Sequence, residues 1–294
     1  MMKYVLAKSV GEALGALADA QGKGRVISGG TDLTIDMEEG KISADVLIDV
    51  TQIPEMKEIR IEGDELVIGA SATLTEITHN PLVLRYFLSL TKGTGCIGSL
   101  QIRNSATLTG NVVSAQPAAD GGMAVAPLNP AYVISRKGAE DKKLNTQEMY
   151  AGFGRTAIDP HNEMVKEIRI PLPKENEASS YVRLELRKSL SLPMLNVAAM
   201  AGATGGEVDW VRITMGPVGV GPVRARHAEE WLAGKKLSWK NMAEAGNMAL
   251  LDAKPRSNPL RGSREYREAT LPILVRRALE DIATQLGVKY EKEG

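Results

Sequence analysis

The chain has 294 residues, 43% hydrophobic and 24% charged, a composition typical of a folded globular protein with more than one structural unit. Lys plus Arg and Asp plus Glu balance at 36 each, which excludes recruitment of nucleic acid or anionic membrane by net charge. Cys96 is the only cysteine, so the chain forms neither an intrachain disulfide nor a cysteine-ligated zinc or iron–sulfur centre, and a reducing cytoplasm is expected.

Residues 1–52 predict a small parallel β-α-β unit. The stretches "KYVLA", "RVIS" and "DVLIDV" are typical of strands, and a helix follows the first of them, where Ser9 and Glu12 have the spacing of a capping box. The "GGTD" loop is expected at the carboxyl end of the middle strand. No apolar run approaches the roughly 20 residues that span a bilayer, so no membrane span is predicted.

The stretch "VISGGTDL" ends in a loop whose glycines, Gly29 and Gly30, have two interpretations. They indicate either a tight turn that needs positive φ or a backbone that a ligand approaches closely. Thr31 or Asp32 could cap the following segment and leave oriented N–H groups for a phosphate. These residues alone leave both interpretations open.

The second block begins with the strand "DELVIGAS" and a capping box, "TLTE". A helix is predicted with Asn80 at its N-cap, Pro81 at its first position and Gly93 just past its end. From Gly95 to Gly122 the chain is rich in Gly, Ser, Thr and Asn, which predicts loops and short strands. Further strands are expected at "AYVISRK" and "EIRIPLP".

One glycine motif in this block is rejected as a nucleotide site. "GTGCIG", which ends at Gly98, fits the dinucleotide pattern G-x-G-x-x-G, and Asp120 lies at a suitable distance for the acidic partner. The motif follows a helix instead of a strand, however, and the β-branched residues after it disfavour a crossover helix. The polar segment "QIRNSATLTGN" is better suited to hydrogen bonding a ligand.

The C-terminal third predicts a strand meander followed by helices. "PLPKENEASS" is the clearest linker, "YVRLELR" alternates with period two, and "NVAAMAGA" and "VDWVRITM" flank a turn at Gly205–Gly206. The remainder, from Arg224 to Gly287, is predicted mostly helical.

Six motifs in order resemble the FAD-binding subunit of the molybdenum hydroxylase family, the xanthine dehydrogenase and carbon monoxide dehydrogenase type: "GGTDL", "LIDVTQIPE", "LVIGASATLTEI", "QIRNSATLTGN", "SAQPAAD" and "EIRIPLP". The resemblance implies an α+β fold with two FAD-binding subdomains of the PCMH-like type. A C-terminal domain with a three-stranded antiparallel sheet and helices would follow. The expected boundaries are 1–52, 53–175 and 176–294.

The resemblance also implies FAD contacts, residue by residue. The first loop would hold the pyrophosphate, the second loop the pyrophosphate and ribityl chain, and Asp120 the polyol or the ring edge. Ile97, Gly98 and Val165 would lie near the isoalloxazine, and Arg183 near its pyrimidine end, where a cation stabilises anionic reduced flavin. The two loops map onto Ser28, Gly29, Gly30, Thr31, Asp32, Leu33, Thr107, Leu108, Thr109, Gly110 and Asn111.

The sequence departs from the family pattern in two places. Thr109–Gly110 stands where the family has a glycine pair, which leaves the phosphate geometry open. Gln116–Pro117 stands where the family has Ser-Pro, which leaves the electron acceptor open. The first loop lacks the histidine of related covalent flavoproteins, so FAD is expected to be non-covalent.

The single histidines, cysteine and tryptophans receive structural interpretations. His79, His161 and His227 are far apart in the sequence and are expected at the surface, with no metal site. Cys96 is expected to be a small buried hydrophobe instead of a redox group. The three tryptophans lie in the C-terminal block and suggest core or subunit contacts: Trp210, Trp231 and Trp239.

The function implied is that of a non-covalent FAD electron-transfer subunit. With one cysteine, the [2Fe–2S] clusters must lie on an iron–sulfur partner subunit, and the molybdopterin cofactor on another, while a small molecule accepts the electrons. Two alternatives remain: a free-standing FAD-dependent oxidase or reductase with its own substrate pocket, and a scaffold protein that has lost the cofactor.

Overall fold

The computed structural model describes residues 2–259 and 262–291. The first unit is a β-α-β arrangement, as the sequence predicts. Its parallel sheet has the order β1-β3-β2. The glycine loop follows β2, the middle strand in chain order, as predicted, and β2 lies at an edge of the sheet. The elements are β1 (Lys3–Leu6), α1 (Val10–Asp19), β2 (Gly24–Ile27), α2 (Leu33–Glu38) and β3 (Val46–Asp49).

Helix α1 covers one face of this sheet because its apolar residues recur at helical spacing. Ala13, Leu14 and Leu17 are buried against Ile48 of the central strand. Ser9 caps the helix, and its side chain accepts the N–H of Glu12. The carboxyl ends of the strands remain accessible beyond this small core, at the edge where the glycine loop leaves β2.

The second unit has a five-stranded sheet of order β4-β5-β10-β6-β7, with helices on one side. A single 3₁₀ turn at Pro54–Met56 precedes it, and another at Ala126–Leu128 follows α8. Its elements are β4 (Ile59–Glu62), β5 (Glu65–Gly69), α3 (Leu74–His79), α4 (Pro81–Tyr86), α5 (Leu88–Gly95), α6 (Leu100–Arg103), α7 (Leu108–Val113), α8 (Asp120–Val125), β6 (Ala131–Arg136), β7 (Lys142–Leu144), α9 (Thr146–Met149), β8 (Tyr150–Gly152), β9 (Arg155–Thr156) and β10 (Glu163–Pro171).

Two predictions in this unit are wrong. The helix that starts after Asn80 does not run on to Gly93, because Phe87 leaves helical geometry and buries its ring fully in the core, which divides the helix into α4 and α5. The stretch Gly95–Gly122, predicted as loops and short strands, contains α6, α7 and the start of α8. Its hydroxyl residues cap these helices: the side chains of Ser99 and Thr107 each accept a backbone N–H three residues on.

The third unit is an antiparallel sheet of order β11-β12-β13-β14 covered by three helices. The predicted meander and the Gly205–Gly206 turn are confirmed, and the two-residue β14 adds a fourth strand to the three predicted. The end of the predicted linker belongs to β11. The elements are β11 (Glu177–Glu185), β12 (Pro193–Thr204), β13 (Glu207–Gly216), β14 (Val223–Arg224), α10 (Arg226–Leu232), α11 (Trp239–Ala249) and α12 (Arg264–Gln285).

The α+β class is therefore confirmed. The second and third units meet where α5 and α8 pack on β11 and β12. There Ser89 is fully buried: its N–H donates to Ser179 Oγ at 3.2 Å, and its hydroxyl donates to the Ala124 carbonyl at 3.2 Å. Among the described residues no helix is long and apolar enough to cross a membrane.

Candidate cofactor site

Two adjoining cavities lie between the units. Residues of all three units line the loop cavity, and residues of the second and third units line the arginine cavity. The loop cavity has a volume of about 320 Å³, and the arginine cavity about 410 Å³; Gly98 and Leu190 line both. The loop cavity is lined by Asp32, Ile97, Gly98, Asn111, Ser114, Gln116, Ala118, Ala119, Asp120, Leu190, Ser191 and Leu192. The arginine cavity is lined by Lys92, Gly95, Cys96, Gly98, Arg103, Tyr181, Arg183, Glu185, Lys188, Ser189 and Leu190.

The two glycines of the first loop serve different structural needs. Gly30 has φ +68°, a left-handed turn that β-branched residues rarely adopt. Gly29 serves close approach, but to the chain itself, because a Cβ atom there would overlap the carbonyl oxygen of Ser105. The two glycines thus bring the first loop against the start of the second.

The N–H groups of this loop are available to a ligand. Thr34 N–H donates to the Gly30 carbonyl at 3.0 Å, whereas the five N–H groups from Gly29 to Leu33 have no acceptor in the described part of the chain. The predicted side-chain cap is wrong for Asp32, which makes no capping hydrogen bond to α2. Oriented, unpaired N–H groups in a turn form an anion-binding concavity.

Asp32 lies at the rim of the loop cavity. Its side chain reaches solvent, yet desolvation by the surrounding protein raises its pKa, and the Ser114 hydroxyl opposes that shift. A carboxyl group here can accept hydrogen bonds from ligand hydroxyls. It would repel a phosphate placed next to it, so the phosphate must lie against the N–H groups instead.

The second loop caps α7 and leaves buried hydroxyl groups without partners. Thr107 Oγ1 accepts the Gly110 N–H at 2.9 Å. Thr109, which stands where the family has glycine, is 9% exposed. Within the described ranges, neither its Oγ1 nor Ser28 Oγ in the first loop has a hydrogen-bond partner. Buried polar atoms are normally paired, so these two oxygens indicate a missing polar ligand.

Asn111 is oriented by the next helix. Its Oδ1 accepts the N–H of Gly122 at 3.0 Å, and a Cβ atom at Gly121 would lie 2.7 Å from the same oxygen. With Oδ1 fixed in this way, the Nδ2 group is the free end of the side chain. Asn111 therefore offers a hydrogen-bond donor at the wall of the loop cavity.

Asp120 is the centre of a buried polar cluster. It is 5% exposed, and its carboxylate accepts hydrogen bonds from the Tyr181 hydroxyl, Asn196 Nδ2 at 3.1 Å and Arg183 Nη1 at 3.0 Å. Burial raises the pKa of Asp120, and the neighbouring Arg183 cation opposes that rise. Most of its hydrogen-bonding capacity is thus used within the protein, where it ties α8 to β11 and β12.

Arg183 contributes to the same cluster from the arginine cavity. Its Nε lies 2.6 Å from Glu185 Oε2, and its Nη1 also donates to the Cys96 carbonyl at 3.3 Å. Its Nη2 donates to the Ser191 carbonyl and so holds the segment that carries Leu190, whose φ is +52°. The guanidinium therefore sets the position of the loop that lies between the two cavities.

The ring-contact residues predicted at Ile97 and Gly98 are both at the cavity wall. Gly98 has φ +52°, and Arg103 Nη1 donates to the carbonyls of both residues at 3.1 Å. Val165 lies elsewhere: it is 5% exposed in β10, within the core of the second unit, and lines neither cavity.

The structure also brings in residues that the sequence reasoning did not select. Ser114, Gln116, Leu190 and Leu192 line the loop cavity, and Asn196 reaches Asp120. The sequence indicates Gln116 only as a departure from the family motif. Ser114 opens the same motif, "SAQPAAD". Leu190, Leu192 and Asn196 carry no local signal, because turns and strands remote in sequence place them.

The single residues behave as ordinary structural groups. His79 contacts the Thr75 carbonyl, His161 the Arg25 guanidinium and His227 the Asp252 carboxylate, each at 2.7–2.9 Å. Burial raises the pKa of Cys96 to about 12. The described residues contain no group of three or more His, Cys, Asp and Glu side chains that could hold a metal ion.

These features define a class of protein: an α+β protein with an N–H-lined loop that suits an anion, a cleft between units, and buried hydroxyls without partners among the described residues. Residues 1–173 match the FAD binding domain in molybdopterin dehydrogenase, and residues 180–282 match the CO dehydrogenase flavoprotein C-terminal domain. The chain belongs to this family of flavoprotein subunits.

Relatives span nearly the whole chain. The nicotinate dehydrogenase FAD-subunit of Eubacterium barkeri is 30% identical over 91% of this chain and 83% of its own length. The carbon monoxide dehydrogenase medium chain of Hydrogenophaga pseudoflava is 26% identical over 94% of this chain and 95% of its own. A solved carbon monoxide dehydrogenase structure from that organism, lacking the Mo-pyranopterin moiety, matches with TM-score 0.89 at 26% identity, covering 97% of this chain and 98% of that one.

Proposed function

We propose that this chain is the non-covalent FAD subunit of a multisubunit molybdopterin-dependent dehydrogenase. It would pass electrons from [2Fe–2S] clusters on an iron–sulfur partner to a terminal acceptor. The observation that carries the proposal is a pair of buried hydroxyls, Ser28 Oγ and Thr109 Oγ1, beside the five N–H groups of the first loop. None of these groups has a hydrogen-bond partner in the part of the chain that the structure describes. Hydroxyl and N–H groups donate hydrogen bonds, and the oxygens of a pyrophosphate accept them.

The residues divide into three tasks under this proposal. The first loop and Thr109 would hold the pyrophosphate through N–H and hydroxyl donors. Asp32 and Asn111 would accept from and donate to the polyol chain, while Ile97 and Gly98 would form an apolar wall for the ring. When bound, the flavin supplies the conversion between two-electron and one-electron chemistry.

Arg183 would serve as the fixed cation near the ring. Its guanidinium forms ion pairs with Asp120 and Glu185, and these hold it in a fixed orientation. A cation that is already oriented stabilises negative charge where that charge develops. We place the unit boundaries at 1–52, 53–175 and 176–294, with the cofactor between the first two and the third behind them.

The partners follow from what one cysteine can ligate. A [2Fe–2S] cluster takes four ligands, so the iron–sulfur centres belong on another chain. The molybdopterin group would lie on a further subunit of the same cytoplasmic complex. The relatives named as subunits or medium chains support this arrangement.

The first experiment identifies the cofactor and its attachment. The purified chain should release FAD into the supernatant on acid precipitation. Recovery of FMN, or flavin that stays with the precipitate, would contradict the non-covalent FAD site; a colourless chain that takes up no added FAD would support the scaffold alternative.

The second experiment separates the relay from a free-standing oxidoreductase. Alone, the chain should show a flavin spectrum, no iron, and no bleaching by purines, aldehydes, aromatic heterocycles or carbon monoxide under anaerobic conditions. Co-expression with its iron–sulfur and molybdopterin partners should give a complex in which the hydroxylase substrate bleaches the flavin. Bleaching of the isolated chain by such a substrate would favour the free-standing enzyme.

A further inference from the structure

The arginine cavity carries more positive charge than its neighbours neutralise. Four cations line it, Lys92, Arg103, Arg183 and Lys188, against the single carboxylate of Glu185. The loop cavity, by contrast, has two carboxylates and no cation in its wall. The two spaces therefore differ in the charge of the molecule that they favour, although they share Gly98 and Leu190.

Ion pairs neutralise only two of the four cations. Lys92 Nζ lies 2.8 Å from Asp281 Oδ2, and Arg183 pairs with Asp120 and Glu185. Arg103 donates only to backbone carbonyls, and Lys188 has no ion pair or hydrogen bond within residues 2–259 and 262–291. Two uncompensated positive charges thus remain at one recess.

The cavity is also next to the predicted flavin ring. Its wall includes Gly98. Arg103, which also lines the cavity, donates hydrogen bonds to the carbonyls of Ile97 and Gly98 and so fixes this backbone segment. A volume of about 410 Å³ accommodates a small molecule or one end of a larger one. A molecule bound here would lie within electron-transfer reach of a ring held at Gly98.

We infer that the arginine cavity is the docking site of the terminal electron acceptor, and that this acceptor is a small anion. The inference rests on the proposed function, because it takes the flavin as the electron donor. Positive charge in a concave site raises the local concentration of an anion and its association rate. Lys188 acts as the steering charge, since nothing in the described chain competes for it.

The chemistry balances with an added oxidant. Reduced flavin gives up two electrons and, on return to the oxidised form, releases its proton to solvent. A one-electron acceptor such as ferricyanide takes one of these electrons per molecule, so two molecules reoxidise one flavin. No bond to the acceptor forms or breaks.

The test uses the full chain loaded with FAD and photoreduced without oxygen. Reoxidation is followed by stopped flow with ferricyanide, neutral benzoquinone and cationic hexaammineruthenium(III). The variants are Lys188→Gln and Lys188→Glu, with Lys188→Arg as the conservative replacement. Lys143→Gln removes a lysine of β7 that lines neither cavity and serves as the matched control.

At low ionic strength, Lys188→Glu should lower the rate of flavin reoxidation by ferricyanide about tenfold, and Lys188→Gln should lower it by less. The rate with hexaammineruthenium(III) should rise, and the rate with benzoquinone should stay unchanged. Lys188→Arg and Lys143→Gln should resemble the parent chain, and salt should reduce all charge effects. Equal slowing of all three oxidants, or no effect on any, would overturn the inference.

Binding gives a second readout that does not depend on turnover. Ferrocyanide, which cannot oxidise the flavin, should bind the oxidised chain in calorimetry, and Lys188→Glu should weaken that binding by a similar factor. Unchanged ferrocyanide affinity in Lys188→Glu would refute the site even if rates fell. A chain that takes up no FAD would instead refute the proposed function, and ferrocyanide binding would then still test the cavity.

Discussion

Replacement of Asp120 by alanine should lower the free energy of unfolding by more than it weakens the binding of FAD. The change leaves the Arg183 Nη1, the Asn196 Nδ2 and the Tyr181 hydroxyl without their common acceptor in a buried site. Removing one member of a buried ion pair costs about 3–5 kcal/mol. Because Arg183 keeps Glu185 at 2.6 Å, we expect the lower end of that range in the free energy of unfolding.

Asp120→Asn is the matched variant, because it keeps the side-chain volume and one acceptor oxygen. It removes the charge and turns the second acceptor oxygen into an N–H donor, which faces donors of the cluster. We expect a loss of about 1.5–3 kcal/mol, the net value of a hydrogen bond to a charged group. Burial raises the pKa of Asp120 in the folded protein. Because the folded-state pKa of Asp120 lies above the unfolded value, the folded parent takes up a proton as the pH falls through that pKa and gains stability. Asparagine does not titrate, so the stability difference in favour of the parent should grow.

The assay is urea unfolding of the FAD-free chain, followed by the fluorescence of Trp210, Trp231 and Trp239, which all lie in the third unit. Removing FAD first separates protein stability from cofactor binding. A parent-like unfolding curve for Asp120→Ala, combined with loss of FAD on reconstitution, would refute the reasoning. It would show that the carboxylate serves the cofactor and does not tie α8 to the third unit.

Three other perturbations test the remaining contacts. Gly29→Ala should force the first loop away from the Ser105 carbonyl and lower the FAD content of the purified chain. Gly15→Ala on α1 should leave it unchanged, because an added Cβ there meets no described atom within 4 Å beyond the neighbouring residues and backbone of its own helix. Thr109→Val should weaken FAD binding by about 1 kcal/mol in equilibrium titration if the hydroxyl donates to the cofactor, and Thr109→Ser should bind as the parent does; a Val variant with parent affinity would remove that hydroxyl from the site. Since burial raises the pKa of Cys96 to about 12, iodoacetamide should label the native chain at pH 9 about a thousandfold more slowly than its thiolate form would react, and rapid labelling would show that the thiol is more exposed than the structure has it.

The sequence predicts best where a local rule and the tertiary structure agree. The capping box at Thr73 and Glu76, the N-cap at Asn80 and the Gly205–Gly206 turn all occur as their residue types indicate. Each depends on contacts within a few residues, so neighbours in sequence are sufficient to specify it.

The prediction of loops and short strands for Gly95–Gly122 is wrong for a physical reason. Its helices are only four to six residues long, too short to be stable by helix propensity, and they exist because capping hydroxyls and burial support them. Ser, Thr and Gly lower the helical signal in any window, although here Ser99 and Thr107 start the helices. Composition therefore indicates a loop where packing produces helices.

The candidate site divides in the same way. The glycine loop could be located from sequence, but its first glycine is required by Ser105, more than 70 positions away, and no local pattern reveals that contact. The pairing of Asp120 with Arg183 also joins residues of different units. The sequence indicated both residues as cofactor ligands, yet it could not show that they bind each other.

The cavity walls come from segments as distant in the chain as Asp32 and Leu192, so a bound cofactor would fasten all three units at once. A ligand that binds only the folded chain stabilises it by RT ln(1 + [L]/Kd), which is about 2.7 kcal/mol at one hundred times Kd. Flavin supply would then govern how long the subunit survives proteolysis before it meets its partners. A cell short of riboflavin would lose this protein through turnover as well as through inactivity, and the amount of subunit would follow the amount of vitamin.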